Sequence, residues 1–326
     1  MARMTMVQAI NLALHQEMER DDSVLVLGQD VGVNEGVFRV TAGLLAKFGE
    51  PRVIDTPLAE SAIVGTAIGM ALGGLRPVAE IQFSGFALLA LGQLEGNAAR
   101  YRSRTCGQRG VPLVVRMPYG GGVRALEHHS ESREAIFAHV PGLKVVIPST
   151  PRTARALLAA AIRDPDPVIF MEPKKSYRAF REEVPEEPET MEIGRARIAR
   201  EGNDLAVVSW GAMLRPTLAA VEQVEEARGV SIRVIDLLTI SPLDRETLVR
   251  AVKETGRMVV VQEAPLSFGP ASEIIATVND EALLWLEAPV KRIASWDVNT
   301  PYFAREEAFF PGVERIRKGI EETLDF

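Results

Sequence analysis

The sequence predicts an α/β protein built from two doubly wound domains. Short apolar runs rich in Val and Ile alternate with amphipathic stretches along most of the chain, a pattern typical of parallel sheets covered by helices on both faces. The length of 326 residues also exceeds the usual ~100–200 residues of one domain. A stretch rich in Glu and Pro at 178–192 interrupts the alternation. We therefore predict a first domain at 1–180, a linker at 181–192 and a second domain at 193–326.

The order of elements follows from the apolar periodicity. Thr5 is a suitable N-cap for a helix whose apolar residues recur every four positions from Met6 to Met18. The strands of the first half are predicted at 24–28, 52–57, 76–83, 111–118, 143–149 and 167–173. Its other helices are predicted at 61–75, around 88–94, at 133–139 and at 153–163. In the second half, strands are predicted at 205–211, 231–237, 257–263 and 290–295, and helices at 214–228, 244–255, 271–284 and 313–324.

The predicted helix at 61–75 carries a stripe of small residues. Gly65, Gly69 and Gly73 recur every four residues and therefore share one face of the helix. A membrane-spanning helix needs about 20 apolar residues, and this run is shorter. We expect a tightly packed, buried helix instead.

The composition favours a cytoplasmic protein. The chain has 37 basic and 44 acidic residues and a net charge of −7, which argues against nucleic acid or an anionic membrane as the main partner. Cys106 is the single cysteine, which excludes a disulfide scaffold and fits a reducing compartment. The first residues show no signal-peptide pattern. Four histidines are too few for a histidine-rich metal cage.

Several common catalytic motifs are absent from the sequence. There is no G-x-x-x-x-G-K-[ST] phosphate loop, no H-E-x-x-H metal motif and no G-x-S-x-G nucleophile elbow. Gly120, Gly121 and Gly122 follow a predicted strand, but their spacing predicts a turn rather than a dinucleotide-binding loop. One carboxylate and one pair of histidines remain as candidates for chemistry.

The carboxylate is Glu60, which lies between a predicted strand and the helix at 61–75. Sites in α/β folds form at the carboxyl ends of parallel strands. A Glu in a first helical turn also complements the helix dipole and needs no further role. However, Leu58, Ala59 and Ile63 surround this one, and a carboxylate among apolar side chains can share or donate a proton near neutral pH. The residues alone leave both interpretations open.

The histidines lie in a polar segment that precedes a predicted helix. One interpretation is a loop in which Ser130 caps the helix and Glu131 complements its dipole. A second is a general acid or base, because an imidazole titrates near neutral pH. A third is a metal site formed by His129, Glu131 and Glu134 with the neighbouring His128, although no familiar zinc spacing is present.

Segments spread in order over nearly the whole chain carry a resemblance to a known family. They are LGQDVG (27–32), GVFRVT (36–41), DTPLAESAIVGTAIGMALGGLRPVAEIQF (55–83), HSES (129–132), PGLKVVIPSTP (141–151), AAIRDPDPVIFMEPKKSYR (160–178), VIDLLTISPLD (234–244) and TGRMVVVQEAP (255–265). In these segments the chain resembles the β subunit of thiamine-diphosphate-dependent 2-oxo acid dehydrogenases, the decarboxylating first component. The resemblance implies a transketolase-like pyrimidine-binding domain followed by a domain like the transketolase C-terminal domain.

The resemblance also implies roles for individual residues. Glu60 matches the family glutamate that hydrogen-bonds N1′ of the aminopyrimidine of thiamine diphosphate and shares a proton with it. Leu58, Phe86 and Gln82 are implied as further cofactor-binding residues. His129 matches the histidine proposed to move protons during acyl transfer to a lipoyl group.

The sequence further predicts an active site shared with a partner chain. This cofactor class is usually held through Mg²⁺ by a G-D-G motif followed about 25–30 residues later by Asn, and G-D-G does not occur here. The resemblance implies that an α subunit supplies the diphosphate and Mg²⁺ site in an α₂β₂ heterotetramer, so we expect no metal ligand in this chain. The second expected partner is a lipoyl-bearing acyltransferase core, whose basic module would meet Glu321, Glu322 and Asp325.

The implied activity is decarboxylation of a 2-oxo acid with reductive acylation of a lipoyl group. GVNEGVF (32–38) resembles pyruvate-type β subunits and FMEPKK (170–175) the branched-chain type, and pyruvate is favoured. An acetoin-type enzyme is a further alternative. A non-catalytic regulatory subunit is another, because Gln29 replaces a usual family Glu and segment 86–96 differs from the family pattern.

Overall fold

The computed structural model describes residues 1–326 and contains two large sheets with helices packed on their faces. The strands are β1 (Ala2–Met4), β2 (Val24–Gly28), β3 (Val53–Asp55), β4 (Arg76–Glu80), β5 (Val114–Tyr119), β6 (Lys144–Val146), β7 (Val168–Pro173), β8 (Glu182–Val184), β9 (Arg197–Arg200), β10 (Leu205–Ser209), β11 (Ile232–Asp236), β12 (Thr239–Ser241), β13 (Met258–Pro265) and β14 (Lys291–Ser295). The helices are α1 (Met6–Arg20), α2 (Leu44–Phe48), α3 (Glu60–Leu72), α4 (Leu91–Gln93), α5 (Arg100–Arg104), α6 (Glu134–Ala138), α7 (Pro151–Arg163), α8 (Leu214–Arg228), α9 (Arg245–Thr255), α10 (Pro270–Ala282), α11 (Glu306–Phe309) and α12 (Val313–Leu324).

The predicted α/β class with two doubly wound sheets is confirmed. The first sheet has seven strands in the order β12-β6-β7-β5-β4-β2-β3, and the second has five in the order β14-β13-β10-β11-β9. All neighbours are parallel except β12 with β6 and β9 with β11. The periodicity did not predict these two antiparallel edge strands, because runs of three or four residues carry little pattern.

The predicted helix start at Thr5 is also confirmed. The Thr5 hydroxyl accepts a hydrogen bond from the Gln8 amide, and the Gln8 side chain accepts one from the Thr5 amide. This reciprocal capping box satisfies two backbone donors that a helix leaves free at its start. It fixes the point at which the chain enters α1.

The stretch predicted as a linker contains a strand that the composition did not indicate. Strand β8 pairs antiparallel with β1, and Val184 lies opposite Ala2. Val184 is fully buried. The Glu-rich segment is thus anchored against the first residues of the chain.

Helix α3 differs from its prediction on one face. Ile63, Val64 and Ala67 are buried as expected, but Gly69 and Gly73 are exposed. No atom lies within 4 Å of the position that a Cβ of Gly69 would occupy. The prediction of a tightly packed glycine face is therefore wrong within this chain, because the burial of α3 comes from its apolar side chains and from Glu60.

The two halves of the chain share one hydrophobic core. The largest cluster has 42 buried residues. It includes Val115 and Met171 of the first sheet and Val208 and Val260 of the second. Side chains of the two sheets therefore pack against one another. No helix of the structure is both long and apolar enough to span a membrane.

Candidate active site

Glu60 is the first residue of α3 and lies at the rim of an open pocket. Its side chain is largely buried, with 8% of its surface exposed, and Ala59 provides no side-chain cap in front of it. A carboxylate at this position complements the positive end of the helix dipole. The pocket has a volume of about 680 Å³ and is lined by Ala59, Glu60, Ser61, Ala62, Gly65, Thr66, Leu89 and Gln93. The structure therefore presents one carboxylate against a small, largely apolar wall.

His129 lies outside that pocket, in an aromatic cluster. Its ring packs edge-on against Phe83 at 4.2 Å and Phe86 at 5.4 Å between ring centroids. Its Nδ1 atom is buried and has no hydrogen-bond partner in this chain. Burial, and then the positive charge of Lys174, lower the pKa of His129 below its usual value. Its imidazole is therefore mainly neutral at neutral pH.

Lys174 fixes the backbone next to this histidine. Its ammonium group is buried and donates hydrogen bonds to the carbonyl oxygens of Gly120 and His129. It also lies 5.8 Å from the centre of the Phe83 ring. Burial lowers the pKa of Lys174 to about 8. No periodic pattern indicates this contact, although Lys174 lies within one of the segments that carry the family resemblance.

The other residues predicted to bind the cofactor lie in different settings. Gln82 donates a hydrogen bond to Asp30 at 3.1 Å. Leu58 has 69% of its surface exposed, while Phe86 is half-buried beside His129. The 3-10 turn at 86–90 that begins with Phe86 also carries Leu89 of the Glu60 pocket. It links the two candidate catalytic residues structurally without bringing them into one pocket.

A buried ion network underlies this region and was not predicted. Arg116 donates to both oxygens of Glu172, at 2.7 and 2.6 Å, and to Glu80 on its other side. Tyr177 donates to Glu172 at 2.5 Å. The three charged residues belong to the neighbouring strands β4, β5 and β7. Because a buried charge is costly unless it is paired, this network holds the strands that lead to Gln82 and the histidine loop.

The structure corrects the prediction that Ser130 caps the next helix. Helix α6 begins only at Glu134, and no side chain caps it. The Ser130 hydroxyl is instead buried without a partner. No group of three or more His, Cys, Asp or Glu side chains is arranged to hold a metal ion. The metal interpretation of His128, His129, Glu131 and Glu134 therefore has no geometric support.

Glu134 is fully buried, and we expect it to make the stability of the fold depend on pH. Burial raises its pKa to about 7, and Trp210 donates a hydrogen bond to it at 3.2 Å. Since folding favours the protonated form, this group stabilises the fold most below about pH 4.5, its unfolded pKa, and loses that contribution as pH rises through about 7. We expect Glu134→Gln, which stays neutral, to gain about 2–3 kcal/mol relative to the parent between pH 5 and pH 8.

Urea unfolding at several pH values measures this difference. Glu226→Gln is the matched control, because Glu226 lies on the exposed face of α8. A difference between the Glu134 variant and the parent that does not change with pH would contradict the assignment.

The three carboxylates predicted to meet a basic partner are already paired with basic residues of this chain. Glu321 is bonded to Arg317, Glu322 to Lys291 and Asp325 to Arg228. These are surface ion pairs of modest strength. The three carboxylates nevertheless do not form an unpaired acidic patch for a basic partner.

Comparisons with known proteins show which protein families share this architecture. A family model described as the transketolase pyrimidine-binding domain matches residues 2–179, and one for the transketolase C-terminal domain matches residues 194–316. A solved structure titled split gene transketolase, inactive beta4 tetramer, superposes with a TM-score of 0.82 at 22% identity, covering 99% of each chain. The fold and its two domains thus define a protein of the transketolase-like class.

Curated relatives narrow that class. The chain is 53% identical to the pyruvate dehydrogenase E1 component subunit beta of Acholeplasma laidlawii, covering 99% of this chain and 98% of the relative. It is 49% identical to the protein of that name from Bacillus subtilis strain 168 and 48% to that from Staphylococcus aureus strain Mu50, each over 100% of both chains. The chain belongs to this family of 2-oxo acid dehydrogenase β subunits, which is thiamine diphosphate-dependent, and the resemblance stated from sequence is confirmed.

Proposed function

We propose that this chain is the β half of a thiamine-diphosphate-dependent enzyme that decarboxylates pyruvate and transfers the acetyl group to a lipoyl group. The observation that carries the proposal is the position of Glu60, a nearly buried carboxylate at the start of α3 beside an open pocket. The relatives named pyruvate dehydrogenase E1 component subunit beta support pyruvate as the substrate.

The lining of the pocket fits the aminopyrimidine end of thiamine diphosphate. Glu60 offers a carboxylate to a ring nitrogen, and Ala59, Ala62 and Leu89 offer an apolar wall to the ring. When bound, the cofactor supplies an electron sink for the carbon that loses carbon dioxide. Glu60 would hold a proton at the ring nitrogen, and His129 would move a proton during acyl transfer.

An α subunit is proposed to complete the site. The G-D-G motif that usually holds the Mg²⁺-diphosphate end is absent from the sequence, so this end needs another source of ligands. The pocket of Glu60 and the glycine face of α3 lie on the same exposed side of the helix, since Gly65 lines the pocket and Gly69 has open space beside it. This side is available to a partner chain in an α₂β₂ assembly. A lipoyl-bearing acyltransferase core would receive the product.

The shared site gives a binding prediction. We expect the isolated chain to bind thiamine diphosphate at least about 100-fold more weakly than the α/β complex, because each lost charge-assisted hydrogen bond to the diphosphate is worth about 1.5–3 kcal/mol. Calorimetric titration of both samples measures this ratio. Thiamine without diphosphate is the matched ligand, and the isolated chain should bind it about as well as the diphosphate. Tight stoichiometric binding of thiamine diphosphate by the isolated chain would refute the shared site.

Product analysis of the reconstituted complex tests the function itself. The complex with an α chain carrying G-D-G would be supplied with pyruvate, 3-methyl-2-oxobutanoate or acetoin and a lipoyl domain. We expect the highest kcat/KM with pyruvate, with carbon dioxide released and the lipoyl domain acetylated. A preference for the branched substrate or for acetoin would reassign the substrate. No turnover of any of the three by an intact complex would favour a regulatory subunit.

A further inference from the structure

The loop that carries His129 is held by carboxylates from the second half of the chain. Glu306, the first residue of α11, accepts hydrogen bonds from the backbone amides of Gly122 at 2.7 Å and Arg124 at 2.8 Å. Glu263 of β13 accepts a hydrogen bond from the amide of Gly121 at 2.7 Å and one from the hydroxyl of Ser132 at 3.2 Å. The bonded groups lie on both sides of His129 in the loop.

Both carboxylates are buried, so removing them from water costs free energy that other contacts must offset. Glu306 has 2% and Glu263 has 3% of its surface exposed. A buried carboxylate destabilises a fold unless hydrogen bonds and opposite charge compensate it. Here backbone amides bond the oxygens, and the positive charge of Lys174 acts on both carboxylates. Loop and carboxylates therefore form one compensated unit.

The glycines of the loop are required for this approach. Gly120 has φ +79°, and a Cβ there would overlap the carboxylate of Glu263. A Cβ on Gly121 would overlap the ring of Phe310. Only a chain without side chains at these positions brings its amides within hydrogen-bond distance. The glycine run predicted as a turn is thus also the surface that the two carboxylates bind.

We propose that Glu306 and Glu263 are positioning residues that set the orientation of His129 for acyl transfer. This inference rests on the proposed function of His129. The two carboxylates hold the amides of the loop, and Lys174 holds the carbonyl oxygens of Gly120 and His129 from the other side. Held in this way, the imidazole packs edge-on against Phe83 and Phe86. A fixed orientation lowers the entropic cost of a proton transfer.

Removing one carboxylate separates positioning from general stability. In the α/β complex, Glu306→Ala should speed hydrogen exchange of the amides of Gly122 and Arg124 about tenfold or more. It should lower kcat for lipoyl acylation about tenfold, with KM for the lipoyl domain and decarboxylation measured with an artificial electron acceptor little changed. Glu306→Gln, which keeps one acceptor oxygen, should show a smaller effect and serves if the alanine variant does not assemble.

Glu307→Gln is the matched control. Glu307 is adjacent but exposed and forms only a surface ion pair with Arg124, so both readouts should match the parent. Unchanged exchange in the Glu306 variants would overturn the contact. Faster exchange with equal losses in both half-reactions, or with no loss in acylation, would overturn the positioning role. If the parent complex has neither half-reaction, the proposed function fails, while the exchange comparison still decides whether Glu306 holds the loop.

Discussion

Glu60→Gln should lower decarboxylation by the α/β complex about 100- to 10,000-fold, the range that proton transfer by a positioned side chain usually contributes. Glutamine has the size of glutamate and keeps one acceptor oxygen, but it cannot share a proton with a ring nitrogen. The pocket beside α3 should therefore keep its shape and lose its chemistry. Steady-state release of carbon dioxide from pyruvate measures the loss.

The control must remove a carboxylate from a helix start without touching the pocket. Glu314 lies in the first turn of α12 and is bonded to Arg317 on the surface. Both variants lose a carboxylate that complements a helix dipole, worth about 0.3–1 kcal/mol. Glu314→Gln should share any small loss of stability with the Glu60 variant and retain full activity.

Assembly must be shown alongside activity, because Glu60 lies on the side of α3 proposed to face the α subunit. The Glu60 variant should elute with the α chain at the same size as the parent complex. Residual activity near that of the parent would remove Glu60 from the reaction and favour its interpretation as a helix-dipole residue. It would also revive a regulatory role for the chain.

The fold was predictable where the sequence carries repeated local signals. Helix α1 begins where Thr5 caps it, and the observed bounds of α8 and α12 equal the predicted ones. The strand β12 was not predicted. Its three residues belong to the second half of the chain but pair with β6 of the first sheet. Such a pairing depends on tertiary contact rather than on periodicity.

The candidate site was predictable only in part for a similar reason. Glu60 and His129 lie in segments whose residues match a family, so the resemblance named them as candidates. The groups that set the environment of His129 come from distant positions, including Lys174 after β7 and Glu306 in α11. A lone charged residue in a sequence does not reveal which loop amides it will bond, because that contact forms only when both halves pack together.

His129→Ala should lower acylation of the lipoyl domain about 100-fold, within the range of general acid–base catalysis, and lower decarboxylation much less. The reason is that its imidazole lies with Phe83 and Phe86, outside the pocket of Glu60. Single-turnover acylation and decarboxylation with an artificial electron acceptor separate the two steps. Equal losses in both would contradict a specific role in acyl transfer.

The pH dependence of acylation provides a second readout of the same residue. Burial and Lys174 lower the pKa of His129, so the parent profile should show an inflection below the ordinary histidine value of about 6.5. That inflection should be absent in His129→Ala. His128→Ala is the matched control, since His128 is exposed and bonded to Glu127, and it should retain both rate and inflection. If the inflection is lost in the His128 variant instead, the titration belongs to His128, and His129 loses its proposed role in proton transfer.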